Sequence, residues 1–177
     1  MSTSKEMDSL NLFSMAYADW NERKTGVFNS PFENMLRILI LLEVVSEPLN
    51  LDRITALDFL GVYGRRWDVL DKNLHGDNPF DFAEFTHKRI VMKHAIFSAI
   101  KKDFISISAN TRGIQYEVND RGKAVIAAID SKYATEYRAG IEAVHAQIGD
   151  YTDGDLLSYI NMKAIEMGAS IYAELFD

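Results

Sequence analysis

The residues whose types could carry chemistry in this 177-residue chain are four histidines, His75, His87, His94 and His145, and a scatter of carboxylates. His87 and His94 stand seven residues apart and share a helical face with Lys101. A helical metal pair wants a spacing of three or four, and a lysine beside it repels a cation, so this pair reads as a polar face. His75 precedes Gly76-Asp77-Asn78-Pro79 with no nucleophile next to it. Acid–base work needs a reacting group within reach, so the expected role of His75 is to tie a loop by hydrogen bonds. Asp77 lies near Asp81, but Asp81 is better placed to cap a helix. The chain has no cysteine, which excludes thiol nucleophiles, disulfides and thiolate zinc sites. It has no Gly-Lys-Ser/Thr and no Gly-x-Ser-x-Gly string. Its one expected hairpin carries Glu117 without the lysine that a nuclease built on an acid and an acid-x-lysine needs. The expectation is a chain that is not an enzyme and takes no cofactor and no metal.

Charge is the other source of function. The net charge of -7 argues against nucleic-acid binding by the whole surface. Yet Asp81 to Lys123 holds eight Lys/Arg against five acids, leaving -10 for the remainder. Lys88, Arg89, Lys93, Lys101 and Lys102 fall on one expected helix and Arg112 on a turn. Together they form a candidate phosphate-contacting set, whose binding would weaken with salt. Base readout looks poor, because that helix lacks an Arg/Asn/Gln cluster on one side. Trp20, Tyr63 and Trp67, with Arg65 and Arg66, are candidate partner contacts, since aromatics and arginine are enriched at interface hot spots. Core packing is the competing expectation for the aromatics, and plain solubility for the arginines. Asp58, between Leu57 and Phe59, is either a buried, paired carboxylate or, more simply, solvent-facing; helical period permits both.

The elements that position these residues follow from local signals. Residues 1–26 form a leader, in which Leu10, Leu12, Phe13, Met15, Ala16 and Trp20 suit a short amphipathic helix. Ser30-Pro31-Phe32-Glu33 is a capping box with proline at the first helical position. The run from Met35 to Val45 is apolar nearly all round, so this helix should be the centre of the core. Asn50 caps a second helix, stopped by Gly61 and Gly64. A long loop from Arg65 to Pro79 follows. Asp81-Phe82-Ala83-Glu84 opens a third helix that runs to Lys102. Phe104 to Ser108, a turn over Ala109 to Gly113, and Ile114, Tyr116 and Val118 make a hairpin. Asn119 caps a fourth helix, a fifth covers roughly Ser131 to Ile148, and Thr152 caps a sixth. The fold class is mainly α (α+β): a winged helix-turn-helix core over 27–130, with a β-hairpin wing, and a C-terminal helical extension over 131–177. The third helix of such a core is the one that can enter a major groove. The longest apolar run, Ile38 to Leu42, is far short of the roughly 20 residues a membrane span needs. With no signal-like start, a soluble cytoplasmic protein without membrane contact is expected.

Phe28-Asn29-Ser30-Pro31-Phe32-Glu33, followed by Leu36-Arg37-Ile38-Leu39, resembles the middle component of bacterial three-component ABC (ABC-3C) systems. So do Ala56-Leu57-Asp58-Phe59-Leu60, Leu74-His75-Gly76-Asp77-Asn78-Pro79, Gly113-Ile114-Gln115-Tyr116 and Ser131-Lys132-Tyr133. The resemblance runs from Phe28 to about Ala143, two-thirds of the chain. It implies a non-catalytic adaptor beside an SMC- or Rad50-like ATPase and an effector nuclease, as in Lamassu-type anti-phage defence; any DNA contact would come from the basic set above, and only within the assembled complex. The competing expectation is a stand-alone winged-helix transcriptional regulator that dimerises through its C-terminal helices and grips a palindromic operator. The acidic net charge and the missing base-reading cluster favour the adaptor.

Overall fold

All but one of the helix starts that the sequence marks with a polar cap are capped so in the computed structural model, which describes residues 30–78 and 80–176. Helix α1 spans Pro31–Val45, and the Ser30 hydroxyl accepts from the Glu33 N–H at 3.1 Å. Helix α2 spans Leu51–Tyr63, with Asn50 Oδ1 accepting from the Arg53 N–H at 2.8 Å. A 3-10 turn, Gly64–Trp67, begins the long loop, and helix α3 spans Asp81–Lys101. Strands β1, Ile105–Asn110, and β2, Gly113–Val118, pair antiparallel across a two-residue turn. Helix α4, Asp120–Ala127, is capped by Asn119, and helix α5, Lys132–Ile148, by Ser131. Helix α6 spans Asp153–Phe176, with Thr152 Oγ1 accepting from the Asp155 N–H at 3.1 Å. Such caps satisfy N–H groups that a helix start otherwise leaves without a partner. The leader, Trp20 included, lies outside the described residues.

Two local expectations are corrected. Gly61 does not stop α2 but sits inside it, where a Cβ would lie 2.4 Å from Ile141 Cδ1. The glycine serves close approach of α2 and α5. Asp81 does not cap α3: the cap position is Phe80, without a side-chain bond, and Asp81 turns inward to Arg66.

Helix α1 is the centre of the core, packing on α2, α3, α4, α5 and β2. Met35, Ile38, Leu39, Leu41 and Leu42 are buried along it. Tyr137, Ile141, Val144 and Ile148 of α5, and Leu156 and Ile160 of α6, join the same cluster. The region beyond residue 130 thus shares the core of what precedes it. The register pairs Ile105 with Val118, Ile107 with Tyr116 and Ala109 with Ile114, so one hairpin face is apolar throughout. On its other side β2 meets Leu49, whose N–H and C=O both bond to Tyr116, at 3.0 and 2.8 Å. The order is therefore Leu49, β2, β1, and β1 is the edge among the described residues. No helix among the described residues is long and apolar enough to cross a membrane.

Where the hairpin joins α4, Gly122 lets the backbone of Phe104 come close: a Cβ would lie 2.3 Å from its carbonyl oxygen and 2.7 Å from Val118 Cγ2. Backbone cannot yield as a flexible side chain can. Gly122→Ala is expected to destabilise the fold by about 1–3 kcal/mol, despite the better helix propensity of alanine. Urea unfolding of the variant measures this, and a neutral or stabilising result refutes the close packing.

Candidate functional site

The densest meeting of ionisable groups lies inside the helical core. Arg37 of α1, Asp58 of α2, Lys88 of α3 and Tyr137 of α5 converge there, each from the buried side of its helix. Arg37 Nε donates to Asp58 Oδ1 at 2.9 Å and Nη2 to Oδ2 at 3.2 Å, a two-pronged pairing. Lys88 Nζ lies 3.0 Å from Asp58 Oδ2, and the Tyr137 hydroxyl donates to Oδ1 at 2.6 Å. Arg37 also reaches Asn34 Oδ1 at 2.6 Å and Glu33 Oε1 at 3.0 Å. Glu33 carries the network outward: the Tyr133 hydroxyl donates to it at 2.7 Å, and His75 Nε2 lies 2.8 Å from that hydroxyl. His75 thus ties the long loop to α1 and α5, the role its sequence setting suggests.

Burial would raise the pKa of Asp58, but Arg37 and Lys88 outweigh it and hold the carboxyl well below the usual range. Burial likewise opposes the charge on Arg37, yet Asp58 keeps its pKa above the ordinary value. For Lys88 burial wins and lowers the pKa, against the attraction of Asp58. Burial pushes Glu33 up, but bonds from His75 and Tyr133 and the charge of Arg37 bring it down. Two cations face two carboxylates, so the charges balance. The charges tie α1, α2 and α3 together, and the Tyr137 hydroxyl on Asp58 adds α5; removing Asp58 leaves both cations buried without their shared counterpart.

The depressed Asp58 pKa has a definite sign for pH. An unfolded aspartate titrates near 4, while the folded one holds its charge to lower pH. Its contribution is fully present above about pH 4 and is lost as acid drives the pH down toward the folded value. Wild-type stability should therefore fall as the pH drops below about 4, with a shallower fall in Asp58→Asn, measured as urea midpoints. Equal slopes would contradict a charged Asp58 in the fold.

Several expected site residues are placed elsewhere than the sequence suggests. Lys88 is 6% exposed and held by Asp58, so it cannot be a phosphate contact. Arg89 is exposed, but its Nε lies 2.5 Å from Asp52 Oδ1. Lys93 and Lys101 stay on the outer face of α3, Lys102 follows its end, and Arg112 occupies the hairpin turn. Arg112 lines a cleft of about 450 Å³ with Glu47, Asn50, Arg53 and Asp153. Arg53 there is engaged by Asp153 at 3.2 Å and by the Tyr151 carbonyl at 2.6 Å, clasping α2 to the start of α6.

Trp67 and Tyr63 are not exposed anchors. Trp67 is fully buried edge-on to Phe59, with centroids 4.7 Å apart. Tyr63 is buried and donates to Glu84 at 2.8 Å. Arg66 reaches Asp81 at 3.1 Å, while Arg65 stays exposed and pairs with Asp77. All four lie on the segment that fastens the long loop to the start of α3. The network residues missed from sequence are Arg37, Asn34 and Tyr137. A signal existed: Arg37 interrupts the most apolar helix of the chain, and Lys88 falls on the stripe of Phe85, Met92 and Ala99.

A family model described as ABC-three component (ABC-3C) system Middle Component 2 matches residues 27–170. No curated protein and no solved structure matches the chain.

Proposed function

Since the chain belongs to the Middle Component 2 family of ABC-three component systems, we propose that it is a non-catalytic adaptor joining an SMC/Rad50-like ATPase to an effector nuclease in anti-phage defence of the Lamassu type. The observation that carries the adaptor reading is the use made of buried charge. Glu33, Arg37, Asp58 and Lys88 bind one another across three helices, and the Tyr137 hydroxyl on Asp58 adds a fourth, which makes a stiff scaffold of the chain. A stiff scaffold suits a subunit that holds two others in fixed relation. A winged-helix core is the fold reading that goes with it. It is supported by the order α1, α2, α3, β1, β2 and by Leu49, between α1 and α2, pairing with β2 as a third, minimal strand. A cytoplasmic location follows from this role.

The stand-alone regulator finds less support. Lys88 lies inside the core and Arg89 is bound to Asp52, so α3 has fewer cations for DNA than its sequence suggests. The test is co-expression with the ATPase and effector encoded beside the gene, followed by purification through a tag on this chain. Recovery of both subunits, with ATP hydrolysis only when the ATPase is present, is the expected outcome. Recovery of neither, together with nanomolar binding to its own promoter, would install the regulator instead.

A further inference from the structure

From the outer face of α3 we infer that this helix is a docking surface for an acidic, apolar-anchored segment of a partner protein, an inference that rests on the adaptor reading. Ile90 and Phe97 are 56% and 49% exposed and stand seven residues apart, two helical turns along one face. Between and beside them lie His87, Lys93, His94 and Lys101, all exposed. Lys93 Nζ sits 5.9 Å from the centre of the Phe97 ring. From Phe85 to Lys102 the sequence holds no acid, in a chain whose net charge is -7. Neither Lys93 nor Lys101 takes part in an ion pair among the described residues.

Charge complementarity selects the occupant. A partner that covers this face must bring carboxylates to the two lysines and apolar side chains to Ile90 and Phe97. An amphipathic helix with an acidic flank supplies both, in the helix-on-helix mode of peptide recognition. Duplex DNA supplies the anions but would set Ile90 and Phe97 against a polar groove, and α3 has no base-reading cluster. The opposite face of α3 is held in the core by Met92, Ala95, Ile96 and Ala99 and by Lys88, so the docking face is already rigid before binding.

The test uses the full chain in the co-expressed three-component complex. A photo-cross-linking amino acid replaces Phe97, and in a control chain it replaces Glu142, exposed on α5. Adducts are then mapped by mass spectrometry. The expected result is an adduct from position 97 to an acid-rich amphipathic stretch of the ATPase or the effector, absent from the control. In parallel, Phe97→Glu should weaken the complex at least tenfold without lowering the melting temperature of the isolated chain. Lys93→Glu with Lys101→Glu should also weaken it, with rescue by lysines in the mapped acidic stretch. An adduct to nucleic acid, to a second copy of the chain or to its own residues 1–29 overturns the inference. So does an intact complex that gives no adduct and tolerates Phe97→Glu; that outcome leaves the adaptor reading standing. If the wild-type chain recovers neither subunit, both fall.

Discussion

Asp58→Ala is expected to cost the fold about 3–5 kcal/mol, the usual cost of leaving buried charge without its partner. The variant strips Arg37 of its two-pronged acceptor, Lys88 of the carboxylate 3.0 Å from its Nζ, and Tyr137 of its hydrogen-bond acceptor. For a chain of this length that corresponds to a drop of the melting temperature on the order of 10 °C. The loss should not grow in proportion when the cations go too. Asp58→Ala with Arg37→Met and Lys88→Met removes the stranded charges, and it should recover a substantial part of the deficit. Thermal and urea unfolding of the single and triple variants measure both effects. A single-variant loss below about 1 kcal/mol would mean that the three charges are not buried together.

Trp67→Ala should be of similar size, about 3–5 kcal/mol, because a large aromatic is taken from a filled site. The indole is buried against Phe59, its Nε1–H points to the Ile160 carbonyl at 3.4 Å, and the Tyr159 hydroxyl donates to the Trp67 carbonyl. The loss should be visible in the isolated chain, with no partner present. Trp67→Phe should keep part of the packing and cost less. If the isolated alanine variant unfolded at the wild-type urea midpoint and only complex formation suffered, Trp67 would be an interface anchor after all.

The two variants mark the boundary of what could be read from the sequence. Ser30, Asn50, Asn119 and Thr152 were legible as caps because each acts on an N–H only three residues ahead. The hairpin was legible for the same reason: alternation and a turn are short-range signals. The family was legible from strings along the chain, and the match over residues 27–170 confirms it at the level of the middle component. What escaped was side-chain direction on helices with no polar face. Helix α2 is buried on all sides from Arg53 to Tyr63, so its period could not say that Asp58 points inward. Lys88 read as a surface cation because lysine is nearly always exposed unless it is paired. Its partner lies thirty residues upstream on another helix, beyond the reach of any local rule. Tyr63 and Trp67 allowed either an interface or a core reading, and the structure buries both, Tyr63 at the end of α2 and Trp67 at the end of the 3-10 turn. Gly61 misled in the same way, since the close approach of Ile141 comes from a helix eighty residues downstream.

The edge position of β1 bears on how the chain behaves at high concentration. Its segment Ile105–Asn110 carries no proline and no charge, the usual devices against unwanted pairing. An extended stranger laid along it would extend the ladder by one rung and present a fresh rim of amide groups to the next arrival. A lysine introduced at Ser106 or Ser108 is the natural safeguard for anyone preparing concentrated samples.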